Sequence, residues 1–446
     1  METSSTEEER CLLRGFQTTS SKMRYLFLGQ FISQVGENIA RVALLYFIYR
    51  ETHSVGAVAL TGVLQNLPPL LLSPVTGALL DHHDKRSFLL VLDIFRTVLS
   101  LAIPLLYLLH LLSIPAVEVI VFLTTICSGA FGPGLYSFIP SILEHATPEE
   151  ILRANSTIQT TGNAGILIGP LLGGILLTGI APPLVMGIAA FTFLLSVVFL
   201  WKIEKKSPGT DRVPVLEEPL SIRKILGVHG AREIVRSGDL LKSFLTYAVF
   251  GLLIVPLTLL LPELVNDRLK SGGMAFGGIL TSFGMGQLAM SVLMSGGLFK
   301  KTEQKGTIAP MALLAASGLI VLLGNAGNNA EAFLVAFLIG GILSVIHPVV
   351  HANVFRHAPK AALGSVMSLL SGGFLLFATV GSALLPALTG HLGLARTFEM
   401  LGAVSLIAGL LFLSPPFSIA LFRKRTTGQA GQKRNRLQTI QNVYQD

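Results

Sequence analysis

The chain has 446 residues, 51% of them apolar and only 13% charged, with a formal net charge of +8. Soluble domains carry roughly 25% charged residues, so this composition excludes an ordinary soluble enzyme or binding domain. The positive charge is spread over alternate loops rather than gathered in one patch, which removes nucleic acid as an expected partner.

Runs of about 20 apolar residues recur along the sequence, each long enough to cross a hydrocarbon core of about 30 Å as a helix. The ten-residue alternation of a barrel strand is absent. Hydropathy predicts twelve spans, at 23–49, 55–80, 88–111, 116–143, 153–179, 184–202, 239–264, 274–299, 307–325, 331–356, 363–388 and 396–422. An all-α, multi-pass membrane protein is therefore expected.

The N-terminal stretch Met1–Lys22 is polar and carries Glu7, Glu8 and Glu9. It lacks the short apolar core of a cleavable secretory signal. The first span then presents Gln30, Gln34, Glu37, Asn38 and Arg41 at a spacing that puts all five on one helix face. Glu37 falls near mid-membrane, where a lone charge costs at least about 2.5 kcal/mol on insertion scales. Two readings stand. Glu37 and Arg41, one turn apart, form a neutralised pair that fixes packing. Alternatively, Glu37 is a proton acceptor or cation-binding carboxylate facing a cavity. An intramembrane carboxylate is functional by default, which favours the second.

Between the second and third spans runs Gly77-Ala-Leu-Leu-Asp81-His82-His83-Asp84-Lys85-Arg86. This dense charge cluster, with a glycine one turn ahead of an aspartate, resembles the Gly-x-x-x-Asp-Arg-x-x-Arg-Arg loop of the major facilitator superfamily of secondary transporters. Gly77, Asp81 and Arg86 stand at matching places, while His82 and Lys85 replace arginines. The resemblance implies a conformational latch on the cytoplasmic side. It also implies that Asp93 and Arg96, opening the third span as Asp-x-x-Arg, belong to the same charge network. An aspartate at the place of Asp81 would bond across to a helix start in the other half, where the dipole attracts a carboxylate.

After the fourth span come Pro148-Glu149-Glu150 and Arg153-Ala154-Asn155, a helix start with acids that complement its dipole. The fifth span contains Gly165, Gly169 and Gly173 at i, i+4 and i+8, with Pro170 and Gly174 between and after them. This is a stripe without side chains, suited to close backbone approach, and generic helix packing accounts for the spacing alone. Pro170 removes a hydrogen bond and favours a kink. The complete string is similar to the Gly-x-x-x-Gly-Pro-x-x-Gly-Gly motif of the antiporter branches. With Ala154-Asn155 it resembles the macrolide-efflux-like branch of the drug:proton antiporters. Thr160, Thr161 and Asn163 follow as candidates for a cavity wall.

The longest polar stretch, 203–238, divides six spans from six and holds a short surface helix predicted at 222–235. His145-Ala146 and His357-Ala358, each followed by a proline (Pro148, Pro359), recur at the offset that carries Gly169 onto Gly381, which indicates a duplication. The tenth span contains His347-Pro348-Val349-Val350-His351, two imidazoles one turn apart. Three readings stay open: hydrogen-bonded helix histidines beside a proline kink, proton handling, or a metal pair, for which further ligands are wanting. Cys11 and Cys127 are not expected to form a disulfide. The tail closes on Arg423-Lys424-Arg425, Lys433, Arg434 and Arg436. Lys and Arg bias over alternate loops places both termini in the cytoplasm.

The expected architecture is a tail (1–22), a six-helix bundle (23–202), a linker (203–238), a second six-helix bundle (239–422) and a basic tail (423–446), in the major facilitator fold. The expected protein is not an enzyme. It is a proton-coupled exporter of small amphipathic compounds, monomeric, in the plasma (bacterial inner) membrane, with no cofactor and no bound metal. Export of a metal or siderophore, lysophospholipid transport, and a non-transporting receptor or scaffold are the alternatives. No Gly-x-x-x-x-Gly-Lys-[Ser/Thr] loop is present to make ATP the direct energy source.

Overall fold

The computed structural model describes residues 21–82, 84–143, 148–203, 228–295, 307–359 and 362–413, without the side chains at 21, 72–82, 148–149, 152–153, 228–229 and 295. The expected N-terminal tail before Ser21, linker residues 204–227 and the tail 423–446 lie outside the described residues. Gly77 and Asp81 are described only as helical backbone.

The described elements are helices. They are α1 (Ser21–Thr52), α2 (Val55–His82), α3 (Lys85–Leu108), α4 (Ile114–Ile142), α5 (Pro148–Leu176), α6 (Pro182–Trp201), α7 (Val228–Arg236) and α8 (Gly238–Glu263), which runs on into a π turn (Leu264–Arg268). There follow α9 (Gly273–Ser295), α10 (Ile308–Gly324), α11 (Asn329–Ser344), α12 (Ile346–His357), α13 (Leu363–Leu392) and α14 (Leu394–Leu413). Among the described residues, 8 helical stretches are long and apolar enough to cross a membrane: α3, α4, α6, α8 with its π turn, α9, α11 with α12, α13 and α14. Val55–Leu71 and α10 are shorter apolar helices.

Local chemistry sets the helix ends. Asp84 caps α3, its Oδ2 accepting from the Ser87 hydroxyl at 2.6 Å and the Ser87 amide at 3.3 Å. Asn328 caps α11 by accepting from the Glu331 amide at 2.9 Å. Proline opens α6 at Pro182, where its missing N–H costs nothing. Gly393, at φ +79° and ψ 170°, closes α13 in a conformation open to glycine and leads directly into α14.

Helix α3 illustrates the inside-out logic of the chain. Its buried face carries Leu89, Asp93, Arg96, Ser100 and Ile103. Its exposed face carries Val91, Ile94, Phe95, Val98 and Leu101. A helix in water shows the opposite arrangement; in a bilayer, polar groups turn to the bundle interior.

The chain forms two compact units. Among the described residues, the first comprises 21–54, 68–203 and 271–281; the second comprises 55–67, 228–270 and 282–413. In the first unit, α1 packs on α5 and α6, and α3 packs on α4 and α6. Met23, Leu26, Phe27, Leu89, Phe131, Leu135, Phe138 and Leu200 belong to its apolar core. In the second unit, α8 packs on α12 and α13, and α10 on α14. Ser405 ties α14 to α10, its hydroxyl donating to the Leu313 carbonyl at 2.7 Å.

The tenth span, expected over 331–356, runs as one apolar stretch, Asn329–His357, with a single turn residue at Val345 between α11 and α12. Pro348 is the cause. It has no N–H to return to the Ser344 carbonyl, and its ring crowds the preceding turn.

Candidate functional site

In the first unit, Glu37 of α1 meets Asp93 and Arg96 of α3. Arg96 Nη2 donates to Glu37 Oε2 at 2.7 Å, and Nη1 donates to Asp93 Oδ1 at 3.0 Å. The hydroxyl of Ser196 on α6 donates to the other Asp93 oxygen, Oδ2, at 2.6 Å. The guanidinium lies over the Phe193 ring at 3.9 Å and near the Phe131 ring at 5.2 Å, in cation–π contact. Its Nε has no hydrogen-bond partner among the described residues. The Arg96 and Asp93 side chains are 2% and 0% exposed, whereas Glu37 is 27% exposed.

Asp93 lies eight residues into α3 and Ser196 five residues from the end of α6, depths of about 12 and 8 Å at 1.5 Å per residue. The cluster is thus well inside the apolar layer. Burial of three charged groups is tolerable there because each ion has a partner and each carboxylate accepts a strong, charge-assisted bond.

Neighbouring helices approach α1 closely. A Cβ at Gly165 would sit 2.7 Å from the Gln34 Cβ, and one at Gly173 would sit 3.2 Å from both the Ile39 carbonyl oxygen and the Val42 Cβ. A Cβ at Gly169 would overlap Asn38, and one at Gly36 would overlap Thr192 of α6. The glycine stripe of α5 therefore faces the α1 turns on either side of Glu37. Gly174 turns to another backbone, where a Cβ would lie 2.9 Å from the Gly277 Cα. Asn38 donates to the Gln34 carbonyl at 2.8 Å, which fixes its amide along α1.

The remaining candidate residues separate. Arg41 is exposed, and the partner of Glu37 is Arg96. Asn163 is exposed on α5. Arg86 binds within its own unit, donating to the carbonyls of Leu200 at 3.2 Å and Trp201 at 2.8 Å, and so satisfies the open C-terminus of α6. Lys85 is half-buried at the start of α3. His347 and His351 belong to the second unit. Their rings stack at 4.0 Å, and His351 Nδ1 meets the His347 carbonyl at 2.8 Å. Among the described residues, no three His, Cys, Asp or Glu side chains converge as a metal cage.

Ser196, Phe193 and Phe131 were not singled out from sequence. The available signal was the Thr192–Ser196 pair, two hydroxyls one turn apart in an otherwise apolar span.

The model of the Major Facilitator Superfamily matches residues 26–323 and 243–436. The chain belongs to this superfamily. It is a multi-pass membrane transporter, not an enzyme, and its substrate class is small molecules. Over 228 residues it is 24% identical to the uncharacterized MFS-type transporter YvqJ of Bacillus subtilis, a match spanning 51% of this chain and 53% of that one. Macrolide efflux protein A of Streptococcus pyogenes is 20% identical over 390 residues, 86% of this chain and 93% of that protein. The Staphyloferrin A transporter of Staphylococcus aureus is 22% identical over 398 residues, 87% and 95% respectively. The crystal structure of a point mutant of the nucleoside transporter NupG superposes with a TM-score of 0.71 at 11% identity, over 90% of this chain and 100% of that one. That likeness establishes the fold.

Proposed function

We propose that this transporter is a proton-coupled exporter of small amphipathic compounds that works by alternating access, with Glu37 as the coupling carboxylate. The charge count of the α1–α3–α6 cluster carries the reading. Two carboxylates share one guanidinium, so full ionisation leaves one unmatched negative charge at membrane depth. A proton or a cationic group offsets it. Asp93 is enclosed by Arg96 and Ser196, whereas Glu37 retains an exposed side and receives one bond from Arg96. Arrival and departure of a proton therefore belong to Glu37. A carboxylate that is neutral in one half of the cycle and charged in the other biases a two-state carrier.

Efflux direction is supported by the likeness to macrolide efflux protein A and by the Gly165–Gly174 string. The reading includes twelve membrane helices in two six-helix bundles, 23–202 and 239–422, rocking about a midplane cavity. Both termini are cytoplasmic, in a plasma (bacterial inner) membrane, and the working unit is a monomer. Gly77, Asp81, Lys85 and Arg86 form the cytoplasmic latch, to which Asp93 and Arg96 connect the coupling carboxylate. Gln34, Asn38, Arg41 and Asn163 are cavity-wall positions.

The test is transport in proteoliposomes with an imposed pH gradient and a compound panel, read with an internal pH dye. Wild type exchanges compound for protons; Glu37→Gln binds compound but loses gradient-driven flux. Equal flux in the two removes Glu37 from coupling, and a panel with no movement and no proton counterflow removes the antiporter. A second reading, export of a metal-chelating siderophore, is favoured by the likeness to the Staphyloferrin A transporter. Adding ferric and apo chelators to the same panel separates the two.

A further inference from the structure

Helix α7 stands immediately ahead of a membrane span, and the coupling mechanism makes no use of it. Ser237 alone separates it from α8, whose apolar run Gly238–Arg268 is long enough to cross a bilayer. One face of α7 is fixed against the bundle of the second unit. The helix packs on α8 and α13, with Gly230 and Ile234 buried. The Gly230 amide donates to the Ser365 hydroxyl of α13 at 3.1 Å, and a Cβ at Gly230 would sit 2.7 Å from the Ser365 carbonyl carbon. A backbone held this closely does not roll, so the opposite face has a set direction.

That face carries Ala231, Arg232, Val235 and Arg236, all exposed. Arg232 and Arg236 stand one turn apart, and Val235 beside them is 55% exposed. Cations around an exposed apolar side chain are the pattern of a helix lying in the membrane interface: the apolar group enters the acyl boundary and the cations meet headgroups. Nearby acids do not cancel the charge. From 223 to 242 the chain has Arg223, Lys224, Arg232, Arg236 and Lys242 against Glu233 and Asp239. Glu233 approaches Arg236 at 3.7 Å, and Asp239 faces His357 at 3.6 Å. Among the described residues, no acid pairs with Arg232. A group of roughly four to eight Lys and Arg beside a span or on an amphipathic helix attracts anionic lipid.

We infer that the Arg232–Val235–Arg236 face of α7 is a docking site for the headgroup of an anionic phospholipid. The two guanidiniums hold its phosphate, whose oxygens match their planar fork, and Val235 lies against the upper acyl chain. A choline lipid offers the same phosphate beside a cation that the arginines repel, so it is bound less well. The inference does not rest on the exporter reading, because it needs neither Glu37 nor flux.

The test uses the single tryptophan, Trp201, whose side chain is 73% exposed and therefore replaceable. In the full chain carrying Trp201→Phe and Val235→Trp, fluorescence reports on α7 alone. The protein is reconstituted at low salt in phosphatidylcholine vesicles containing rising fractions of brominated phosphatidylglycerol or brominated phosphatidylcholine, and quenching gives the relative affinity. Phosphatidylglycerol is expected to be preferred about twentyfold, at about fivefold per arginine. Arg232→Gln and Arg236→Gln are each expected to lower the preference about fivefold, the double lysine variant to keep most of it, and high salt to reduce it. Melting curves establish that each variant is folded. Should the tryptophan variant fail this, native mass spectrometry of the otherwise unchanged chain counts bound phosphatidylglycerol against phosphatidylcholine, with and without the glutamines. Three results overturn the site: no quenching by either lipid, which puts the face in water or under residues 204–227; equal quenching by both; or a preference that survives the double glutamine variant. Loss of the preference on adding inorganic phosphate makes this a free-anion site and overturns lipid docking as well.

Discussion

Replacing Arg96 by methionine tests the charge cluster most directly. Methionine keeps much of the apolar stem that packs between Phe131 and Phe193 but removes the guanidinium. Two charge-assisted bonds are lost, to Glu37 at 2.7 Å and to Asp93 at 3.0 Å. At about 1.5–3 kcal/mol each they amount to about 3–6 kcal/mol, and the two cation–π contacts add about 1 kcal/mol. Part of this overlaps, because both bonds share one guanidinium and such losses are not additive. The expected loss of stability is about 3–5 kcal/mol, the range for breaking a buried ion pair by removing one partner. The companion variant Arg96→Met with Asp93→Leu is expected to regain most of it, because an apolar pair in place of a buried ion pair is often neutral. Equilibrium unfolding in mixed micelles, followed by intrinsic fluorescence, measures both. The reasoning is refuted if Arg96→Met lies within about 1 kcal/mol of wild type, or if the double variant is less stable than the single.

Three further outcomes are expected. Gly169→Ala places a methyl against Asn38 and is expected to cost about 1–3 kcal/mol by overpacking, with lower flux; unchanged melting would show that α1 and α5 have room to part. Arg86→Gln removes both side-chain bonds to the end of α6 and is expected to destabilise by about 1–3 kcal/mol, with faster hydrogen exchange near Leu200 as the local readout. Asp81→Asn is expected to abolish flux while substrate binding is retained; loss of binding in a titration would make Asp81 a ligand instead of a latch.

The helical class and the polar stripe on α1 were legible because both are periodic. Gln34, Glu37 and Asn38 announce a face, and Gly165, Gly169 and Gly173 announce a stripe. What each face meets was not legible. Arg41 was the nearest cation to Glu37 along the chain, yet the ion-pair partner is Arg96, which arrives from 59 residues away. Asp93 and Arg96 sit close to the basic loop in sequence; what was not legible is that Arg96 also reaches Glu37 and Asp93 also meets Ser196. The aromatic neighbours of His347 and His351 were hidden for a different reason. Tyr247, Phe250 and Phe374 are ordinary residues of apolar spans, and only the fold collects them beside the histidines. Pro348 signalled the bend that the turn residue Val345 marks between α11 and α12.

Contacts at Gly36, Gly165, Gly169 and Gly173 leave α1 backbone-to-backbone with α5 and α6, with no spare volume through which it can roll or slide. A change of charge at Glu37 must therefore be taken up by something other than that helix. Arg96 is equipped for it: a long, hinged side chain, held at one end by Asp93 and two aromatic faces, with one guanidinium nitrogen still uncommitted. In mechanical terms the helices are the stator and the arginine is the lever, so under the proposed coupling the first stroke after proton arrival would be an ångström-scale swing of one side chain.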